Sequence, residues 1–479
     1  VSASVGQRIR QALRTEPKRY QIQAVRFLES LSGRGILGDD MGLGKTYEAI
    51  AWLAINSSLR PVIIVCPSGV KWQWQRMFKE HAGIRSEVME GTKPYHPKLP
   101  IVIINYEILR TAQHAEKGGH RTKPAFPWVD QLKTATPKVV ILDEFHKIKD
   151  RGSLQTKSCM ELCKEIPHVI GASGTPIERC PVEFYPMLKL VDPKGFGSFW
   201  KYAFRYCDPT PAFRGRGWCF NGSDNLDELH QRVSHVMIRR LKTDVAKELP
   251  PKIRISLPMD ITNRKEYNEA AEDFLGWLER EQGEEAADRA AGAIGLTRLG
   301  ALKRITAIGK LRAVKSWVED FLEASNEKLI IFAVHRPIIA DLIKTLPGPV
   351  ACVSGDITGR KRQDQIDRFI KDPKCRLFVG QLRAAGVGID GLHHVASSVL
   401  FVELGWNASE HEQAEDRALR IGQTASCVNI YYALARDTVD SKVLEMIQTK
   451  YDICRRVLDG GVRALELFNR GSLFDEHQH

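Results

Sequence analysis

The apolar positions of this chain fall into short unbroken runs, separated by stretches in which apolar residues recur every three or four positions. The runs at 62–66, 101–104 and 139–142 are apolar throughout. A strand of that kind is buried on both faces, which predicts a parallel sheet covered on both sides. The same grammar returns at 329–334, 350–353, 377–380, 399–404 and 428–434. Helical spacing fills 20–28 and 47–54, and 437–460 carries Val439, Val443, Ile447, Tyr451 and Cys454 on one stripe. The pattern predicts an α/β chain with two sheet domains and a C-terminal helix that braces back across them.

Polar residues cluster where the runs end, and an open α/β sheet places its ligand site there. Ile36-Leu37 leads into Gly38-Asp39-Asp40-Met41-Gly42-Leu43-Gly44-Lys45-Thr46, and a helical pattern leads out. Strand, glycine loop and helix form the context of a phosphate cradle. Backbone N–H groups point at the phosphates, Lys45 reaches the terminal ones, and Thr46 offers a hydroxyl to Mg²⁺. The strict pattern has glycine where this chain has Asp39, so a glycine-rich turn ahead of a helix is the other reading of the loop. Pro67-Ser68 and Asn105-Tyr106-Glu107 end the next two runs, and Asp143-Glu144-Phe145-His146 ends the third. Asp143 suits Mg²⁺, which prefers hard oxygen ligands, and Glu144 can orient an attacking water. Read alone, the acidic pair also fits a helix cap. Gln21, just upstream, can read an adenine edge or sit on a helix surface.

The second half has no phosphate loop. Its strand ends carry Gly355, Gln381, Gly388 and Trp406. Arg417 and Arg420 lie three apart, so on a helix they share a face and can reach a γ-phosphate from outside. As an isolated pair they fit a solvated face better than a catalytic one.

Composition narrows the class. A chain of 479 residues exceeds one core, and 43% apolar content is ordinary for a globular protein. No run of 18 apolar residues occurs, and 1–14 has no apolar signal region, so an intracellular protein without a membrane partner is expected. The ten cysteines include no C-x-x-C pair, and Cys159 and Cys163, four apart, suggest a buried helix face rather than a metal site. A formal charge of +12 suits a polyanionic partner without requiring one. Phe213 to Phe220 interleaves arginines with aromatics, which suits phosphate contacts and base stacking, or a loop tip with its rings tucked under.

Met41-Gly42-Leu43-Gly44-Lys45-Thr46, the Asp-Glu-x-His tetrad and Ser173-Gly174-Thr175-Pro176 together resemble helicase superfamily two, specifically its Swi/Snf-type ATPases. Gln413 to Gln423 resembles that family's arginine-finger motif. Met237 to Val245 followed by Leu249-Pro250-Pro251-Lys252 strengthens the likeness. Phe204 to Asp208 and Asn225 to Leu229 look most like the annealing-helicase (HARP) branch. Asp40, Phe145, Leu419 and Asp390 depart from the family's usual glutamate, small residue, histidine and asparagine.

The resemblance implies two RecA-like lobes, at 1–195 and 311–436, with helical insertions at 196–310 and a brace helix and tail at 437–479. It implies DNA-stimulated ATP hydrolysis driving translocation on double-stranded or forked DNA, by a monomer that is the motor alone. Lys45, Thr46, Asp143, Glu144, Gln381, Arg417 and Arg420 would carry hydrolysis, with Gln21, Asp40, Gly42, Gly44 and Gly388 around the ATP and Mg²⁺. Ser68, Tyr106, Thr175, Arg239, Arg240, Gly355 and Trp406 would contact DNA or couple to it. An RNA-directed or RNA-polymerase-recycling ATPase remains open, as does a non-hydrolysing scaffold. Ser472-Leu473-Phe474 partly resembles the peptide that docks on a bacterial sliding clamp, with Arg470 where its glutamine usually stands; an ordinary frayed terminus is the other reading.

Overall fold

The computed structural model describes residues 4–113, 116–117, 120–121, 124–212, 217–280, 284–357, 359–385 and 389–460. Gly388, Phe213 to Arg216 and the clamp-like tail fall outside them. The chain forms two compact units. Among the described residues, the first is built from those up to 212, from 217–246 and from 452–460; the second holds 247–451.

The first unit's sheet has seven strands in the order Met237–Ile238, Gly35–Leu37, His168–Ala172, Val139–Asp143, Val62–Cys66, Ile101–Asn105 and Glu87–Val88. Every neighbouring pair is parallel. Alternate residues of one strand feed opposite cores: Ile63 and Val65 pack with Trp128 and Phe184, whereas Val62, Ile64 and Cys66 pack with Trp52 and Trp74. That two-sided burial is why these strands read apolar at every position. The helix Lys45–Ile55 follows the loop after Gly35–Leu37 and is buried along most of its length.

The second sheet has six parallel strands in the order Lys252–Met259, Val428–Ala435, Ser398–Phe401, Leu329–Ala333, Leu377–Gln381 and Val350–Val353. Ile330 and Phe332 enter one core, Leu329, Ile331 and Ala333 the other. The apolar run at 399–404 is strand only to Phe401, because Glu403 turns its buried carboxylate back onto the Val334 and His335 amides at 2.8 and 2.9 Å.

The stretch 196–310 differs from the expected block of helical insertions. It holds the helices Phe199–Tyr206 and Leu226–Ser234, but Met237–Ile238 joins the first sheet and Lys252–Met259 the second. The expected boundary at 310 falls inside the helix Glu284–Ala324. Lys252–Met259 alternates polar and apolar residues, the period of a half-buried strand, and so differs from the unbroken apolar runs that marked the other strands; its partner strand and Glu415 hold it in place. Cys159 and Cys163 are buried free thiols. Among the described residues no helix is long and apolar enough to cross a membrane.

Candidate active site on the first sheet

The loop between Gly35–Leu37 and Lys45–Ile55 turns on two glycines with positive φ, Gly42 at +83° and Gly44 at +93°. L side chains rarely adopt that backbone, and a Cβ at Gly44 would stand 2.6 Å from the Gln21 amide nitrogen. Lys45 heads the helix, and its Nζ donates to the Asp39 and Asp40 carbonyl oxygens at 2.8 and 3.2 Å. Thr46 occupies the same first turn, half-buried. Gln21 lies against the loop, but its amide is engaged: Oε1 accepts from the Lys18 N–H at 2.9 Å, and Nε2 donates to the Leu43 carbonyl at 3.3 Å. Here it caps its own helix and fastens the loop.

Two strands away in the same parallel sheet, Val139–Asp143 ends on the acidic pair. The Asp143 carboxylate accepts from the Trp74 indole at 2.7 Å and from the Glu144 amide at 3.0 Å. Tyr106 is buried, and its hydroxyl donates to the Asp143 carbonyl at 2.8 Å, so it supports this strand end from the core rather than lying on a surface. Glu144 has φ +50°, a left-handed conformation that turns its side chain toward Ser173 and His146. Ser173 Oγ donates to Glu144 Oε2 at 3.3 Å, and His146 Nδ1 lies 3.3 Å from the same oxygen. Burial and the charge of Glu144 push Asp143 up to about 7. Burial would raise Glu144 as well, but His146, Lys45 and Ser173 outweigh it and hold that carboxyl down. The two neighbouring carboxyls therefore differ: Glu144 stays ionised, while Asp143 lies near its midpoint at neutral pH.

The strand His168–Ala172 lies between these two and supplies Ser173 and Gly174 at its end. A Cβ on Gly174 would come within 2.6 Å of Met41 Cγ and 3.2 Å of Lys45 Nζ, so glycine is required for this close approach. Thr175 is buried beside it, its N–H donating to Ser173 Oγ at 3.2 Å.

Arg239 and Arg240, expected from the sequence to contact DNA or to couple to it, both turn onto the loop. Arg240 donates to both carboxylate oxygens of Asp39, to Glu48 at 3.0 Å and to the Tyr20 carbonyl. Arg239 donates to Asp40 at 3.0 Å, to the Gly38 and Gly174 carbonyls at 2.6 and 3.0 Å, and to Asp459 at 2.6 Å. Both guanidinium groups are largely buried. They follow Met237–Ile238, which pairs beside Gly35–Leu37, so sheet order delivers them to the loop. In this position both guanidinium groups support the loop. Ser173 enters the sequence analysis only within a motif and without a role of its own, and Trp74 does not enter it. The only signal for Trp74 was an indole in a helical stretch just past a strand end.

In the second unit, Gln381 bridges strand ends: Oε1 accepts from the Gly355 N–H at 3.0 Å, and Nε2 donates to the Val334 carbonyl at 3.3 Å. Trp406 is partly buried, with Lys303 Nζ 4.1 Å from its ring centre. Arg417 and Arg420 do not share a helix face, because Ala408–Glu415 ends before them and they occupy the following turn. Arg417 is buried and donates to the Ile389 carbonyl. Arg420 pairs with Asp390 at 2.8 Å.

Comparison with known proteins fits this geometry. The model of the SNF2-related domain matches residues 20–306, and that of the helicase conserved C-terminal domain matches 309–422. The chain is 32% identical over 469 residues to the DNA annealing helicase and endonuclease ZRANB3 of Mus musculus, covering 95% of this chain and 42% of that protein. It is 32% identical over 449 residues to the SWI/SNF-related matrix-associated actin-dependent regulator of chromatin subfamily A-like protein 1 of Xenopus tropicalis, covering 91% and 44%. It therefore spans less than half the length of these curated relatives. The solved Sulfolobus solfataricus SWI2/SNF2 ATPase core in complex with dsDNA aligns over 94% of both chains at 23% identity, with a TM-score of 0.43. This chain belongs to the SNF2-related family of helicase-superfamily proteins.

Proposed function

We propose that this protein is a DNA-dependent ATPase that translocates on double-stranded DNA, remodelling or reannealing DNA structures such as forks, or displacing bound protein. The observation that carries the proposal is the convergence of Lys45, Gly174 and the Asp143–Glu144 pair at the ends of three strands of one sheet. Family membership, the annealing-helicase relatives and the charge of +12 support DNA as the track.

In this reading ATP lies on the loop with Lys45 at its terminal phosphates. Thr46 and Asp143 would hold a Mg²⁺ ion, since both offer the hard oxygens that it prefers. Bound there, the ion would supply neutralisation of phosphate charge. Glu144, kept ionised by its neighbours, orients the attacking water. Arg417 and Arg420 act as arginine fingers on the same nucleotide, which gives the second unit its role without a phosphate loop of its own. Ser68 and Gly355, exposed at strand ends, face the DNA. The protein works as a monomer.

The test is ATP turnover with duplex DNA, forked DNA and single-stranded RNA. Duplex or fork should stimulate it at least about tenfold, equivalent to about 1.4 kcal/mol of barrier. Equal stimulation by RNA would replace this reading with an RNA-directed ATPase.

A further inference from the structure

The helix Phe199–Tyr206 buries Tyr202, Ala203 and Tyr206, yet it carries a second apolar face made of Trp200 and Phe204 at i and i+4. These two rings are 50% and 57% exposed, and Trp218, from the short antiparallel pair that follows, is 43% exposed. The three rings touch, with Trp218 centred 6.3 Å from Trp200 and 5.5 Å from Phe204. Phe220 supports them from below, 5.7 Å from Trp200. Scattered exposed aromatics need no explanation, but contiguous ones mark a contact surface.

Trp200 also forms one wall of a groove of about 850 Å³ that runs past Arg151, Lys157 and Lys189. The groove's carboxylates are Asp130 and Glu161, and Lys133 already binds Glu161 at 2.6 Å. Arg151, Lys157 and Lys189 then face Asp130 alone, so the groove is net positive. Arg151 stacks over Phe199 with its guanidinium carbon 3.3 Å from the ring centre, which keeps that cation at the groove wall.

We propose that this face binds unpaired DNA, with bases stacked on Trp200, Phe204 and Trp218 and phosphates along Arg151, Lys157 and Lys189. Aromatic faces gain by stacking only on bases freed from a duplex, and the adjoining cations match the backbone that accompanies them. The choice of DNA rests on the proposed DNA-motor function; the stacking chemistry does not. The site lies apart from the nucleotide loop, so it would give the motor a hold on a displaced or unreannealed strand.

The experiment measures binding of a fluorescent oligothymidylate and of a duplex by anisotropy, without nucleotide, alongside duplex-stimulated ATP turnover. Trp200→Ala/Phe204→Ala should weaken oligothymidylate binding by about tenfold or more. Duplex affinity and stimulated turnover should stay at the parent level. Trp200→Leu/Phe204→Leu keeps an apolar cover without ring faces, so it should lose single-strand affinity too, whereas a surface for an apolar protein partner would leave that affinity unmoved. Lys189→Glu should weaken the same binding and make it less salt-dependent, and it serves if the alanine variant does not fold. The proposal is overturned if the parent does not bind the oligomer, if the folded variants bind it like the parent, or if duplex affinity falls equally. A parent whose turnover ignores duplex DNA would defeat the motor reading alone, since the single-strand measurement uses no nucleotide.

Discussion

Arg240 donates through Nε to Oδ1 of Asp39 at 3.0 Å and through Nη2 to Oδ2, clasping a carboxylate that has no exposed surface. Asp39 stands where the strict phosphate-loop pattern has glycine, so the departure is a tether between the loop and the chain after Met237–Ile238. Removing one partner leaves a buried charge uncompensated; the same guanidinium also donates to Glu48 at 3.0 Å, a carboxyl that burial and Asp39 push well above the usual range. Arg240→Met should therefore destabilise the first unit by about 3–5 kcal/mol in denaturant unfolding. Arg240→Met with Asp39→Gly should cost less than the two single changes added together. Additive losses would show that the pair is not coupled.

Three variants separate the parts of the proposed site. Glu144→Gln keeps shape but loses the carboxylate that orients water, so ATP should still bind while turnover is abolished. Lys45→Ala should weaken nucleotide binding itself. Arg420→Ala leaves the loop intact, so affinity should change little while DNA-stimulated turnover falls by about 10³–10⁵. Parent-rate hydrolysis by Arg420→Ala would show that its partner is Asp390 alone.

Trp74 holds Asp143 through one indole hydrogen bond, from inside the core. Trp74→Phe keeps a ring there and removes the donor. A hydrogen bond to a charged group contributes about 1.5–3 kcal/mol, so turnover should fall roughly tenfold to a hundredfold and the Mg²⁺ concentration needed for nucleotide binding should rise. An unchanged Mg²⁺ titration of nucleotide binding would reduce Trp74 to a packing residue.

Glu415 gives the second unit a pH signature. It is fully buried and accepts from Lys252 at 2.6 Å, Arg254 at 2.7 Å and the Tyr432 hydroxyl at 2.8 Å. Burial alone would raise its pKa, but Arg254 and Lys252 prevail and hold it far below the usual carboxylate range. With the folded value depressed, its contribution is complete above the unfolded value of about 4.3 and is lost as pH falls below it. Glu415→Gln should cost about 3–5 kcal/mol at neutral pH. It should also flatten the decline of stability below about pH 4. Parallel acid limbs in parent and variant would place the acid sensitivity elsewhere.

The strands that alternate between two buried faces were legible. The run at 62–66 coincides with Val62–Cys66, and 350–353 with Val350–Val353. The loop glycines, Lys45 and the acidic strand end were legible too, because their spacing along the chain is itself the requirement of the chemistry. Glu87–Val88 and Met237–Ile238 were not, since two residues carry no period. His168–Ala172 was hidden by its glycine, where a Cβ would come within 2.6 Å of Met187.

What the sequence by itself determined was the local content of the site: which loop has the form of a phosphate cradle, which strand ends in paired carboxylates, and which family the ordered motifs belong to. Tertiary structure alone decided the partners. Arg240 lies 201 positions from Asp39, and Trp74 lies 69 from Asp143. Nothing local distinguishes a buried arginine that clasps a loop from an exposed one that meets a nucleic acid. The difference is whether sheet order brings a carboxylate to it, and strand order is set by packing over the whole chain.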